Sequence, residues 1–175
     1  MSVGKKTISF SLSEKGIDQA LKELEVYKQE LKRKTLLLRE KIAKRLAEEA
    51  QRGFQDAVVD DLIHENPKPA QVVVTVDNRG DLTVVIADGE DAVWVEFGTG
   101  VYHNGSAGSS PHPSGTELGM TIGGYGKGYG NRKVWGYYED GELHKTHGTP
   151  AAMPMAKAVT AVCDALPELV KEVFG

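Results

Sequence analysis

A single cysteine, Cys163, stands in 175 residues. One thiol excludes an internal disulfide framework and a cysteine-based zinc site. Long apolar runs are also missing: no stretch approaches the ~18 uninterrupted apolar residues that would span a membrane. Nor is there an excess of basic charge. The 21 Lys+Arg are outnumbered by 25 Asp+Glu, which argues against the whole chain being a general nucleic-acid binder. Met1–Lys6 carries lysines with no apolar run behind them, so no cleaved leader is expected and the protein is expected to be made in a cytoplasm. Proline is absent between Ser13 and Asn66, where the only glycines are Gly16 and Gly53. What remains is a globular composition, 40% hydrophobic and 26% charged, long enough to bury a core without disulfide or metal.

The chain is expected to form one domain over residues 1–175. Thr7–Leu12 alternates polar and apolar residues, the period of a short half-buried strand. A helical segment over 13–57 follows. Ile17, Leu21, Leu24, Tyr27, Leu31, Leu38, Ile42, Leu46, Ala50 and Phe54 recur mostly in steps of three and four. Ser11 has capping-box spacing to Glu14, and Ser13 is the alternative N-cap. One long helix, or two with a bend near Tyr27–Leu31, satisfies this pattern. Its polar face mixes both signs, which fits a solvated surface. A helix this long also has an apolar side to bury, so part of the stripe is a candidate for docking on another subunit.

Asn66-Pro67-Lys68-Pro69 excludes helix. Within the segment 71–100, Gln71–Val76 and Leu82–Ala87 are rich in Val and Ile and flank the turn-forming Asp77–Asp81, which predicts a β-hairpin. Glu90–Phe97 fits a short helix or a strand; Glu90 and Asp91 at its N-terminus and Gly98 as its stop favour the helix. Residues 101–132 form a long insertion with few apolar anchors, read as a mobile loop. In 133–175, Asp140-Gly141 between Lys133–Tyr138 and Leu143–Thr146 predicts a second hairpin. Pro154–Phe174 has helical apolar spacing, with Pro167 expected to kink or divide the helix.

Catalytic chemistry is hard to assemble from these residues. His144 and His147 are three apart but on a predicted strand and its exit, without accompanying carboxylates at metal-ligand spacing. Cys163 falls in an apolar helical pattern and reads as buried and inert. No serine lies in a nucleophile-elbow sequence. The glycine run 123–130 lacks a Gly-Lys-Ser/Thr ending and is followed by a strand, so it is no phosphate cradle. No catalytic residue, metal or cofactor is therefore assigned. The same run interleaves Tyr125, Lys127, Tyr129, Arg132 and Lys133, residues suited to clasping a neighbour or stacking on nucleotides. Asp81, Asp88, Glu90, Asp91 and Glu96 crowd residues 81–100 without a basic residue. They read as a solvated edge or as a wall that repels phosphate.

Two further segments, Val95-Glu96-Phe97-Gly98-Thr99-Gly100 and Gly148-Thr149-Pro150-Ala151-Ala152-Met153-Pro154-Met155-Ala156-Lys157-Ala158, resemble a family of phage proteins. These are the neck, or tail-completion, minor tail components of long-tailed, non-contractile phages. The resemblance extends to element order and covers most of residues 13–175. Met155 stands where the family commonly has an aromatic residue, and the insertion after Thr99 differs in length. The resemblance implies an α+β fold, with a sheet built from hairpins, mixed or antiparallel, packed on helices from both ends of the chain. It implies fold-holding roles for Glu96, Phe97, Gly98, Thr99, Pro150, Pro154 and Met155. Phe97 is expected beneath the sheet, Gly98 in a positive-φ turn, and the Met155–Val159 face over the hairpin. The function implied is structural: a ring of six copies in the virion joins the head connector to the tail tube and passes DNA. Asp81, Asp88, Glu90 and Asp91 are then candidates for the lumen. The alternative is a nucleic-acid-binding accessory protein using the Gly/Tyr/Lys loop.

Overall fold

A computed structural model describes residues 7–59, 68–98, 112–115, 117–118, 135–146 and 151–175. The element order is α1 (Glu14–Asp56), β1 (Val58–Val59), β2 (Lys68–Pro69), β3 (Val73–Arg79), β4 (Leu82–Asp88), α2 (Ala92–Phe97), β5 (Trp135–Glu139), β6 (Glu142–Thr146) and α3 (Pro154–Phe174). The class is α+β. Among the described residues the strands form three separate two-stranded antiparallel sheets, β1–β2, β3–β4 and β5–β6, and not the single sheet expected.

α1 is one helix of 43 residues, about 65 Å at 1.5 Å per residue, with no division near Tyr27. Ser13 is its N-cap, and its Oγ accepts from the Gly16 amide at 3.2 Å. Ser11 supports the cap through a 2.9 Å hydroxyl contact with Ser13. The strand expected over Thr7–Leu12 is absent: these residues are irregular and mostly exposed. Their alternating pattern finds no partner strand, and period two stabilises nothing without one.

The β3–β4 hairpin runs in register from Val73↔Asp88 to Arg79↔Leu82. Its turn is the two residues Gly80-Asp81, so Asp77–Arg79 belong to the strand and not to the loop. Gly80 at φ 62 supplies the positive φ that a two-residue hairpin needs at its first central position. Thr83 Oγ1 donates across the strands to Asn78 Oδ1 at 2.7 Å, and along β3 Arg79 Nε donates to Asp77 Oδ2 at 2.7 Å. In the β5–β6 hairpin both central residues, Asp140 (φ 51) and Gly141 (φ 85), are left-handed, the mirror-image turn expected for Asp-Gly.

A two-stranded sheet is marginal in water, and α1 supplies the missing support. The Gln51 side-chain amide pairs with the open edge of β3, donating to the Val72 carbonyl (3.1 Å) and accepting from the Val74 amide (2.8 Å). At the far end, Arg39 donates to the Gly80 carbonyl at 2.8 Å. Gln51 thus stands in for a third strand at one point and Arg39 pins the turn.

α3 lies antiparallel along the C-terminal half of α1. Pro154 abuts Gly53, Glu172 pairs with Lys41, and the Lys34 ammonium lies 5.8 Å from the Phe174 ring centre. Ala158, Val162, Ala165, Leu169 and Val173 are its buried row, small enough for close helix approach. Pro167 neither ends nor divides the helix. It is exposed, off the row that packs on α1. Cys163 is exposed as well, against expectation, because it sits one residue past the buried Val162. The Met155–Val159 face does not cover the hairpin. Met155 alone reaches the central cluster, where Phe54, Ala57, Val72, Ala92 and Val95 meet.

A Cβ on Gly53 would sit 2.8 Å from the Pro154 Cβ and 3.2 Å from its Cα. Gly53→Val is expected to force α1 and α3 apart at a cost of about 1–3 kcal/mol, read as a lower urea midpoint. An unchanged midpoint would show that this close approach is not needed.

Candidate functional site

α3 begins without a capping side chain of its own. Its N-cap is Met153, in the left-handed conformation (φ 57, ψ 47), with no side-chain cap bond. Pro154 contributes no amide hydrogen, so the Met155 and Ala156 amides are the ones left to satisfy. Both point at Glu96. Oε2 accepts from Met155 at 2.8 Å and Oε1 from Ala156 at 3.0 Å. The next amide, Lys157, already bonds to the Met153 carbonyl at 2.9 Å. Ala152 and Met153 add amide bonds to the Val95 carbonyl, at 2.8 and 3.4 Å. One turn of α2 therefore holds the whole start of α3.

Glu96 is only 6% exposed, and a carboxylate that deep is costly unless its oxygens are bonded. A third donor completes the set. His112, from the insertion, places Nε2 2.8 Å from Glu96 Oε1. The Ser114 amide donates to the other ring nitrogen, Nδ1, at 3.0 Å. That acceptor role fixes the proton on Nε2, which donates to Glu96. The Phe97 ring packs on the imidazole, centroids 4.2 Å apart and planes at 50°. Phe97 is thus half-buried against His112 and not beneath a sheet.

α2 exists to aim these groups. Val95 is fully buried in the cluster and Glu96 follows it inward, while Val93 and Trp94 are exposed. Gly98 closes the helix at φ 79, ψ 167, a region essentially restricted to glycine. The positive-φ turn expected there is present, and Gly98 is buried. Glu90 and Asp91 do not act as first-turn acids. Glu90 precedes the helix, and Asp91, at its N-cap, makes no cap bond. Its carboxylate instead accepts the Gln71 amide at 2.9 Å, tying α2 to the chain entering β3.

The acidic residues do not form one patch. Asp81 is at the tip of the β3–β4 hairpin, while Asp88, Glu90 and Asp91 are at its base. Seven residues of strand, about 20 Å, separate the two groups. Asp88 and Glu90 are exposed and Asp91 is partly buried. His144 is buried in β6, and no group of three or more His, Cys, Asp or Glu among the described residues could hold a metal. Thr99, Pro150, Tyr125, Lys127, Tyr129, Arg132, Lys133 and His147 lie outside the described residues, as does the expected mobility of 101–132 save for 112–115 and 117–118.

Sequence reasoning placed Glu96, Gly98, Pro154 and Met155 in a structural motif but missed His112 and Gln51. One signal was available: Ala151-Ala152-Met153-Pro154 offers no capping side chain, so a helix starting there needs an acceptor from elsewhere. Comparison with known proteins adds no relative: no family model, no curated protein and no solved structure matches the chain.

Glu96→Ala is expected to lower stability by about 1–3 kcal/mol, the range for leaving buried donors unpaired. Glu96→Gln, which keeps one acceptor oxygen, should fall between it and wild type. Gly98→Val should cost a similar ~1–3 kcal/mol through backbone strain. Urea midpoints measure all three, and an alanine variant as stable as wild type would remove Glu96 from this role.

Proposed function

We propose that this chain is a structural protein of a phage head–tail junction. It forms a ring, of six copies by the resemblance, that joins the tail tube or its terminator to the head connector and lets DNA pass without sequence-specific binding. The observation supporting this reading is the Glu96 cap. The two segments that resemble the neck family are about 50 residues apart in the chain, yet they meet in one buried unit through Glu96, Val95, Ala152, Met155 and Ala156. The resemblance therefore rests on residues that do one physical job together. The protein works by shape and contact, with no turnover and no cofactor. It is assembled in the host cytoplasm, acts in the virion and needs no membrane. Among the described residues no helix is long and apolar enough to cross one.

Asp88 and Glu90 face the channel in this reading, where negative charge keeps phosphates from adhering. Asp91 is set aside, since its bond to Gln71 gives it a packing role. Light scattering on the purified protein, with negative-stain electron microscopy, tests the ring directly. Annular particles that add to tail tubes are expected. A chain that stays single and binds DNA in a steeply salt-dependent way would favour the nucleic-acid reading instead. In virions, Asp88→Lys with Glu90→Lys should leave the fold intact, since exposed changes cost within about 0.5 kcal/mol each. Genome ejection should slow while particles look complete. Normal ejection would take these acids out of the channel.

A further inference from the structure

We propose that His112 is a proton-operated latch: on taking up a proton, its imidazole keeps its hold on Glu96 and releases the turn that follows it in the insertion. The proposal stands on the geometry of this buried pair and is independent of the ring reading above.

The imidazole is held on both edges and one face. Nε2 lies 2.8 Å from Glu96 Oε1, and the two side chains are only 10% and 8% exposed. The Ser114 amide donates to Nδ1 at 3.0 Å, and the Phe97 ring packs on the imidazole. Ser114 belongs to a short coil of main-chain bonds. The Gly115 amide donates to the His112 carbonyl at 2.9 Å, and the Leu118 amide to the Ser114 carbonyl at 3.1 Å. Gly115 is buried, whereas Glu117 and Leu118 are exposed. One side chain therefore fastens this turn to the start of α3.

The two ring nitrogens face partners of opposite kind, a carboxylate that accepts and an amide that donates. Only the neutral ring with its proton on Nε2 satisfies both. A second proton has to go to Nδ1, where it meets the Ser114 N–H, donor against donor. One contact must yield. A charged ring makes a stronger, charge-assisted bond to a carboxylate than to any neutral group, and Glu96 is fixed in place by the Met155 and Ala156 amides. The Ser114 contact is the one that gives, since that residue is only partly buried and its amide can turn to water.

Among the described residues Glu96 is the one charged group within ion-pair distance of the ring. On α2, Glu90 is exposed and Asp91 accepts the Gln71 amide. Lys157 on α3 and Glu117 in the insertion are exposed. Histidine is the side chain that titrates nearest neutral pH, so mild acid is the signal the latch reads.

Hydrogen exchange followed by mass spectrometry on the full chain, between about pH 8 and about pH 5 and corrected for the intrinsic rate at each pH, reads both contacts. The Ser114, Gly115 and Leu118 amides are expected to exchange about threefold to tenfold faster in acid, the factor that one hydrogen bond is worth. Met155 and Ala156 should stay protected throughout. In His112→Gln, whose side-chain amide can donate to Glu96 but takes up no proton, the corrected rates at Ser114, Gly115 and Leu118 should not depend on pH. Wild-type rates there that ignore pH would overturn the proposal, as would the same acid response in His112→Gln. Protection lost at Met155 and Ala156 together with the turn would also overturn it, because the proton would then have opened the cap instead of the latch.

Discussion

The fold depends on one carboxylate placed where a helix has no cap of its own. α3 starts at a proline preceded by a left-handed methionine, and its first free amides, partly buried, have no acceptors within the helix. Glu96 supplies them from α2. The gain is reciprocal. The helix N-terminus, with its amides and positive dipole end, provides what a buried carboxylate requires. Neither group is tolerable without the other, so the pairing fixes where α2 and α3 meet.

From that joint the remaining contacts follow. With Pro154 held at Gly53, the helical rise carries α3 back along α1 to Lys41 and Lys34. With Val95 fixed beside Glu96, the small central cluster closes on Phe54 and Val72. His112 brings a piece of the insertion to the same carboxylate. The core is made largely of alanine and valine, so directional bonds from Glu96, Gln51, Arg39 and Asp91 set positions that bulky packing would set elsewhere.

Much of this was legible in the sequence, for identifiable reasons. Both hairpins were readable because Val/Ile density and Asp-Gly turn chemistry are local. The helices were readable because their apolar spacing is local too. Gly98 was readable because a glycine closing a short helix has a specific conformational use. Misreadings arose where tertiary context decides. Thr7–Leu12 has strand alternation but pairs with no strand, and Pro167 lies inside an unbroken helix on its exposed side, off the row that packs on α1. Cys163 is exposed because a one-residue step takes it off the buried row. His112 and Gln51 were invisible because each acts on a segment distant in sequence, and nothing local announces the partner.

Amide hydrogen exchange at Met155 and Ala156 tests the account most directly. First-turn helical amides ordinarily exchange quickly, since nothing within the helix accepts from them. Bonded to a buried carboxylate, these two are expected to be protected to the same degree as the interior of α3. In Glu96→Ala that protection should vanish at both positions before the rest of α3 is affected. Exchange at Met155 and Ala156 as fast as in an unstructured peptide, in the wild-type chain, would contradict the account.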